Sequence, residues 1–371
     1  MKPLSIIICI LAIAWLFLAP DVCRAEQPPS PYMTVNEFLD LHPEQMRVMD
    51  EFQQLVAAPG TAIHHSVQQQ PVKIAFVYPG LQVSDYWMRS LKSFRNRMDE
   101  VGIKYQLSEY FSKPVVDTRL QQMQLKEALK SDPDYLVFTL DAMQHRHLLS
   151  RLITKGRPKI ILQNITTPLR MWEGKQPFLY VGFDHIIGSR ILADYFLSKT
   201  HNGQYGLLFF GPGYVSDMRG KTFARFMEQG QGPSLAAAYF TDGNQEKARK
   251  ATLAILEEHD IAFLYACSTS VALGAIDALR ETGKTDQVMI NGWGGGSAEL
   301  EAILAGELDV TVMRMNDDNG VAMAEAIRLD AEGKPELVPT IYSGDFVLVE
   351  KGISPLDIEQ LKARAFRYSG R

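Results

Sequence analysis

Cysteine is scarce in this sequence. Its 371 residues include three, Cys9, Cys23 and Cys267, and the first two fall in an N-terminal leader. A mature chain left with Cys267 alone has no intrachain disulfide, so its stability must come from buried cores. Positive charge is also in short supply. Lys and Arg number 38 against 43 Asp and Glu, a formal net charge of −5, which leaves no basic footprint for nucleic acid. Beyond Ala25 no run is apolar and long enough to cross a bilayer. Paired catalytic carboxylates, a metal-ligand cluster and a nucleophile triad do not emerge either. An enzyme is therefore not expected, nor a metal or a resident cofactor. The adjacent His64 and His65 sit in a polar linker without further ligands nearby.

What is present starts with the leader. Lys2 precedes an apolar run from Leu4 to Ala19, Pro20 and Asp21 break it, and Cys23-Arg24-Ala25 supplies a small-residue cleavage site. This reads as an export signal peptide over residues 1–25. The mature protein is then expected in the periplasm, with no direct membrane insertion after cleavage. Residues 26–70 read as an extension. Pro-rich Glu26–Pro31 opens it, and Phe38, Leu39, Met46, Met49, Phe52 and Val56 follow near helical spacing, interrupted by Pro43. A polar linker from Pro59 to Gln70 closes it.

From Pro71 onward, short β-branched and aromatic runs alternate with longer amphipathic ones. Lys73–Tyr78, Tyr135–Leu140, Lys159–Asn164, Phe178–Phe183, Tyr205–Phe210, Phe263–Ser268, Val288–Asn291 and Val310–Met315 read as strands. Asp85–Val101, Ile186–Lys199, Asp217–Gln229 and Val271–Thr282 are among the helices between them. Strands this apolar need both faces covered, which predicts parallel sheet flanked by helices. There are too many for one sheet, so the fold class is α/β with two doubly wound parallel-sheet domains. The Pro-bearing turn at Thr167-Pro168 is the expected seam, and Ile341–Val349 reads as one last strand.

In doubly wound sheets ligands bind beyond the carboxyl ends of the strands. The first such end leads into Gln82, Ser84 and Trp87, with Ser84 or Asp85 also able to cap the next helix. Later ends carry Asp141, Asn164, then Asp217-Met218-Arg219, then Ser268 and Thr269 beside Cys267. With Asp217 as cap, Arg219 falls in a first helical turn, where the helix dipole disfavours a cation. That placement points to an anion or a dense set of oxygens. Gly292-Trp293-Gly294-Gly295-Gly296 lacks the Lys of a P-loop and the spacing of a dinucleotide fingerprint. It is expected to let backbone approach a ligand, with Trp293 as a stacking plate. Arg314 follows at the next strand end. Aromatic plates, amides and hydroxyls suit a sugar-like ring, and two arginines suit a ligand with negative charge.

These blocks resemble the type I periplasmic binding proteins, and within them the autoinducer-2 receptors of quorum sensing. The similarity runs from about Tyr32 onward and is densest in Ile74–Trp87, Leu162–Thr167, Pro177–His185, Ser216–Gly220, Leu264–Asp277, Ile290–Leu300, Val312–Asp318 and Tyr342–Phe346. It implies a hinge of three crossings, with residues 71–167 and 297–331 forming the first domain and 168–296 and 332–371 the second. It implies a furanosyl borate diester held by Gln82, Ser84, Trp87, Asn164, Arg219, Ser268, Thr269, Trp293 and Arg314, with Asp141 as a further candidate. Boron enters only as part of that ligand. The implied partner is the periplasmic domain of a membrane-bound two-component sensor kinase. The alternative is the sugar-binding component of an uptake transporter. Where the resemblance calls for an acidic residue after the Ser-Thr pair, this chain has Ser270.

Overall fold

The structure is a computed structural model that describes residues 30–63, 68–140 and 145–370. The leader, His64 and His65 lie outside the described residues. Helices α1 (Val35–Leu41) and α2 (Glu44–Ala57) flank Pro43, which cannot donate a helical hydrogen bond. Thr34 and Glu37 close a reciprocal capping box on α1. Phe38, Phe52 and Val56 turn inward and are buried.

Lobe one is built on β1 (Val72–Tyr78), α3 (Tyr86–Glu100), β2 (Tyr105–Phe111), α4 (Thr118–Lys130), β3 (Tyr135–Phe138), α5 (Arg146–Lys155), β4 (Lys159–Gln163) and β5 (Leu179–Gly182). Lobe two then takes α6 (His185–Lys199), β6 (Gln204–Phe209), α7 (Thr222–Gln229), β7 (Ser234–Phe240), α8 (Gln245–Glu258), β8 (Phe263–Ala266), α9 (Thr269–Glu281), β9 (Met289–Gly294), α10 (Ser297–Leu304) and β10 (Val310–Arg314). The chain returns to lobe one for α11 (Asp317–Ala331) and β11 (Ile341–Ser343), and crosses back for β12 (Phe346–Glu350) and α12 (Pro355–Ala365). The strand orders are β11-β5-β4-β3-β1-β2 and β12-β10-β9-β8-β6-β7. All pairs are parallel except β10 with β12. Two doubly wound lobes result, each with its core on both faces of a sheet.

The crossings do not fall where the sequence placed them. The first is at Phe183-Asp184 and not at Thr167-Pro168, because β5 pairs in parallel with β4 and β11 and keeps residues 168–183 in lobe one. The second is at Met315-Asn316 and not at 296/297, because β10 pairs with β9 and holds α10 and β10 in lobe two. The third splits the single strand read over Ile341–Val349. Gly344 donates its N–H to Gly182 at 2.9 Å, and a Cβ there would lie 2.6 Å from the Phe183 ring.

The C-terminus also departs from the expectation that it would finish in the second domain. Ala365 and Phe366 sit in the core of lobe two, but Tyr368 is buried in that of lobe one. Its backbone N–H and that of Ser369 donate to the Asp317 carboxylate at 2.7 and 2.6 Å. The tail is thus a fourth passage between the lobes.

Candidate ligand-binding site

Both sheets aim the carboxyl ends of their parallel strands at the space between the lobes. A cavity lies in that space, about 460 Å³ when the open solvent at its mouth is included. Gln82, Ser84, Trp87 and Asn164 line it from lobe one, and Arg219, Ser268, Thr269, Trp293 and Arg314 from lobe two. Asp141 lies outside the described residues.

On lobe one, the Gln82 amide donates to the Pro79 carbonyl at 2.8 Å and curls the loop before α3. Trp87 packs against Tyr78 and Tyr86 at centroid distances of 4.7 and 4.8 Å. Asp85 occupies the cap position of α3 but makes no capping bond. Its carboxylate accepts from Arg89 Nε at 2.6 Å and from Ser297 Oγ, on the other lobe, at 2.9 Å. Asn164 sits at φ 66°, a left-handed conformation that asparagine tolerates.

On lobe two the helix after β6 begins earlier than Asp217. The Asp217 N–H already donates to Gly213 at 3.0 Å, so Asp217 is no cap. Residues Ser216–Lys221 form a π-helical turn, a feature often found at functional sites. Arg219 is therefore not in a first turn, and the dipole reading of its position does not hold. The wider turn delivers its side chain to the cavity instead. Nη1 donates to the Cys267 carbonyl at 2.8 Å, and the guanidinium lies 3.6 Å over the Trp293 ring. Trp293 is thus a plate for Arg219, and its indole N–H donates to Tyr265 Oη at 3.1 Å.

Two of the glycines after Trp293 make room for Arg314 and Met313. Gly294 and Gly295 adopt φ 133° and 63°, and a Cβ on either would collide with Arg314 or Met313. The loop is pinned by Glu299, buried, whose carboxylate accepts from Trp293 N, Gly295 N and Thr311 Oγ1 at 3.0, 2.8 and 2.6 Å. The Arg314 guanidinium crosses the cleft to lie 4.1 Å over the Tyr86 ring. Ser270 does not line the cavity. It donates to the Gly243 carbonyl at 2.7 Å and stands 3.3 Å from Ser268 Oγ. A carboxylate there could not make the donation.

Among the described residues no carboxylate lies within ion-pair distance of Arg219 or Arg314. The Nε of each is buried without a protein partner. Burial, and then repulsion from Arg314, push Arg219 down to about 9, so it stays charged at neutral pH. Burial also lowers Arg314. Two buried like charges with donors to spare have the chemistry that suits an oxygen-rich anion. Burial pushes the Cys267 thiol up to about 12, so it is no thiolate nucleophile.

Several residues around the cavity escaped the sequence reading. Pro79, Tyr86, Pro114, Phe210 and Val215 complete the lining. His185 meets Arg219 behind it, with Nε2 3.2 Å from Nη2. At the mouth Val115, from lobe one, packs on Gly211 of lobe two, where a Cβ would come within 2.8 Å of its methyl. Val115 holds φ 64°, a strained conformation for a β-branched residue.

A family model described as a periplasmic binding protein domain matches residues 74–335. The chain is 23% identical over 239 residues to the D-ribose/D-allose-binding protein of Pseudomonas aeruginosa, covering 63% of this chain and 74% of that protein. It is 28% identical over 180 residues to the ribose import binding protein of Salmonella typhimurium, covering 46% of this chain and 58% of that one. The fold is also that of a carbohydrate transporter solute binding protein from Agrobacterium radiobacter, solved in complex with D-arabinose. The TM-score is 0.68 at 19% identity, over 79% of this chain and 99% of that one.

Proposed function

Because this chain belongs to the periplasmic binding protein family, we propose that it works in the periplasm as a receptor that closes its lobes on one compact, polyhydroxylated ring bearing negative charge. The ring this reading favours is autoinducer-2 as its furanosyl borate diester. The observation that carries the reading is the pair of buried guanidiniums, Arg219 and Arg314, that share one cavity with no carboxylate partner among the described residues. A neutral sugar does not call for that pair, whereas a tetrahedral borate matches it with charge and several oxygens. The hydroxyls of Ser84, Ser268 and Thr269 and the amides of Gln82 and Asn164 hold the rest of the ring. Trp87 covers one face. No resident cofactor is called for, since boron arrives with the ligand. Closure is read by the periplasmic domain of a membrane sensor kinase, which makes the purpose signalling.

The relatives favour a second reading. Those named above are a D-ribose/D-allose-binding protein and a ribose import binding protein, and on ligand class they support capture of a neutral sugar for uptake more directly than signalling. Titration calorimetry separates the two. The mature chain is titrated with autoinducer-2, with and without boric acid, and with D-ribose and D-allose. The signalling reading expects a large gain in affinity with boric acid and weak binding of both sugars. Equal affinity without boron, or tight binding of ribose or allose, assigns the chain to uptake.

A further inference from the structure

Arg219 has five N–H donors and no acceptor. His185 Nε2 stands 3.2 Å from its Nη2. Since the guanidinium nitrogen cannot accept, Nε2 must offer its lone pair. The ring proton then belongs on Nδ1, which is buried with no partner among the described residues, and an imidazolium, with both nitrogens donating, does not fit. The ring is fixed in place. It stands at the first position of α6, just after Asp184, whose carboxylate accepts from Ile186 N at 2.8 Å. It is wedged between Tyr214 and Trp293 at centroid distances of 5.3 and 5.1 Å, and it is 1% exposed. The Asn164 side-chain amide approaches Nε2 from the other lobe at 3.4 Å, and with its nitrogen turned to the ring it donates to the same lone pair.

We propose that His185 is a positioning residue for the anion site: a neutral acceptor that orients Arg219 without cancelling its charge. The proposal deepens the reading above and rests on it. An acidic residue in this place would orient the guanidinium equally well but would neutralise it where the dielectric is low. An apolar residue would leave the charge and let the side chain swing. Imidazole supplies the hydrogen bond and spares both the charge and the Nε donor, which has no protein partner among the described residues. The ionisable groups around the ring agree. Arg219 and Arg314 oppose a proton on it, Tyr214 is neutral, and Asp184 is occupied with the start of α6. Burial first, and then the two arginines, hold the imidazole well below its ordinary pKa.

The test uses the full mature chain with His185→Gln and His185→Glu, titrated with autoinducer-2 in boric acid and with D-ribose in its absence. The glutamine variant is expected to stay within about threefold of the wild type for the borated ligand. The glutamate variant should lose about tenfold or more for it, a change of about 1.4 kcal/mol, with ribose unaffected. Equal losses in the two variants, or undiminished borated binding by the glutamate variant, overturn the proposal. Nitrogen NMR of the labelled wild type is independent of ligand and of variant folding. It should show Nε2 bare and Nδ1 protonated from about pH 5.5 to 8. A ring charged at about pH 6, or protonated on Nε2, overturns the proposal. A wild type indifferent to boric acid retires the borate reading, and the NMR result then decides the role of His185 by itself.

Discussion

Arg219 and Arg314 bring the same charge into one small chamber, and the free protein bears the cost. Each must be desolvated, and Arg219 is repelled by Arg314. Arg219→Met should therefore raise the melting temperature of the free protein by a few degrees, relief of desolvation and repulsion outweighing the lost hydrogen bond to the Cys267 carbonyl and contact with Trp293. The same change should weaken binding of the anionic ligand by about 1–3 kcal/mol through lost charged hydrogen bonds, and Arg314→Ala should do likewise. Scanning calorimetry without ligand and titration with it read the two effects separately. His185 adds a pH dependence. Its folded pKa lies below the unfolded value of about 6.5, so the unfolded chain binds the extra proton first. Its share of stability is whole above about pH 6.5 and is lost as pH falls below it. Urea unfolding between about pH 7 and 5 should show a shallower acid loss in His185→Gln than in the wild type. Both arginines were legible because they follow strand ends. His185 was not, because a residue behind an Asp cap reads as the start of a helix and nothing local shows which side chain it will meet.

The π-helical turn Ser216–Lys221 decides where Arg219 points. It has no simple sequence signature, and Asp217 looked like an ordinary cap, so the helix was expected one turn late. Gly220 lets the turn sit against lobe two. A Cβ there would collide with the Phe209 ring and lie 3.0 Å from Cys267 Sγ. Gly220→Ala should cost about 1–3 kcal/mol by overpacking and weaken anion binding by displacing Arg219, measurable by denaturant unfolding and calorimetry. The parallel strands themselves were legible from their apolar, β-branched runs. Their partners were not, because pairing is a long-range choice. Thr167-Pro168 has the local marks of a boundary, yet β5 bonds to β4 and β11 and carries the chain on within lobe one. Ile341–Val349 has the composition of one strand, but its first part pairs with β5 and its last with β10, and Gly344, packed on Phe183, marks the division.

Across the whole molecule, the two-lobed α/β class followed from alternation alone, but the tail could not have been foreseen. Arg97 is fully buried and bonds to Glu325 at 2.6 Å, and the Tyr368 hydroxyl joins it together with Glu100. Arg367 binds Asp318 at 2.7 Å and the Val56 carbonyl at 2.7 Å. Apart from Arg367 and Asp318, which are 49 residues apart, these partners are hundreds of residues apart in sequence, so charge pattern could not reveal them. Tyr368→Ala should destabilise the protein by about 2–4 kcal/mol, combining a lost buried aromatic with polar groups left short of a partner. Equilibrium unfolding in urea is the measurement. The tail also has a mechanical meaning. Three passages gathered at a hinge permit the lobes to twist as well as to part. A fourth strand of chain, clamped to Asp317 at one end and rooted in the core of lobe two at the other, acts as a stay. Such a stay is expected to resist a twist more than a swing, so that each opening would bare the same face of the cavity.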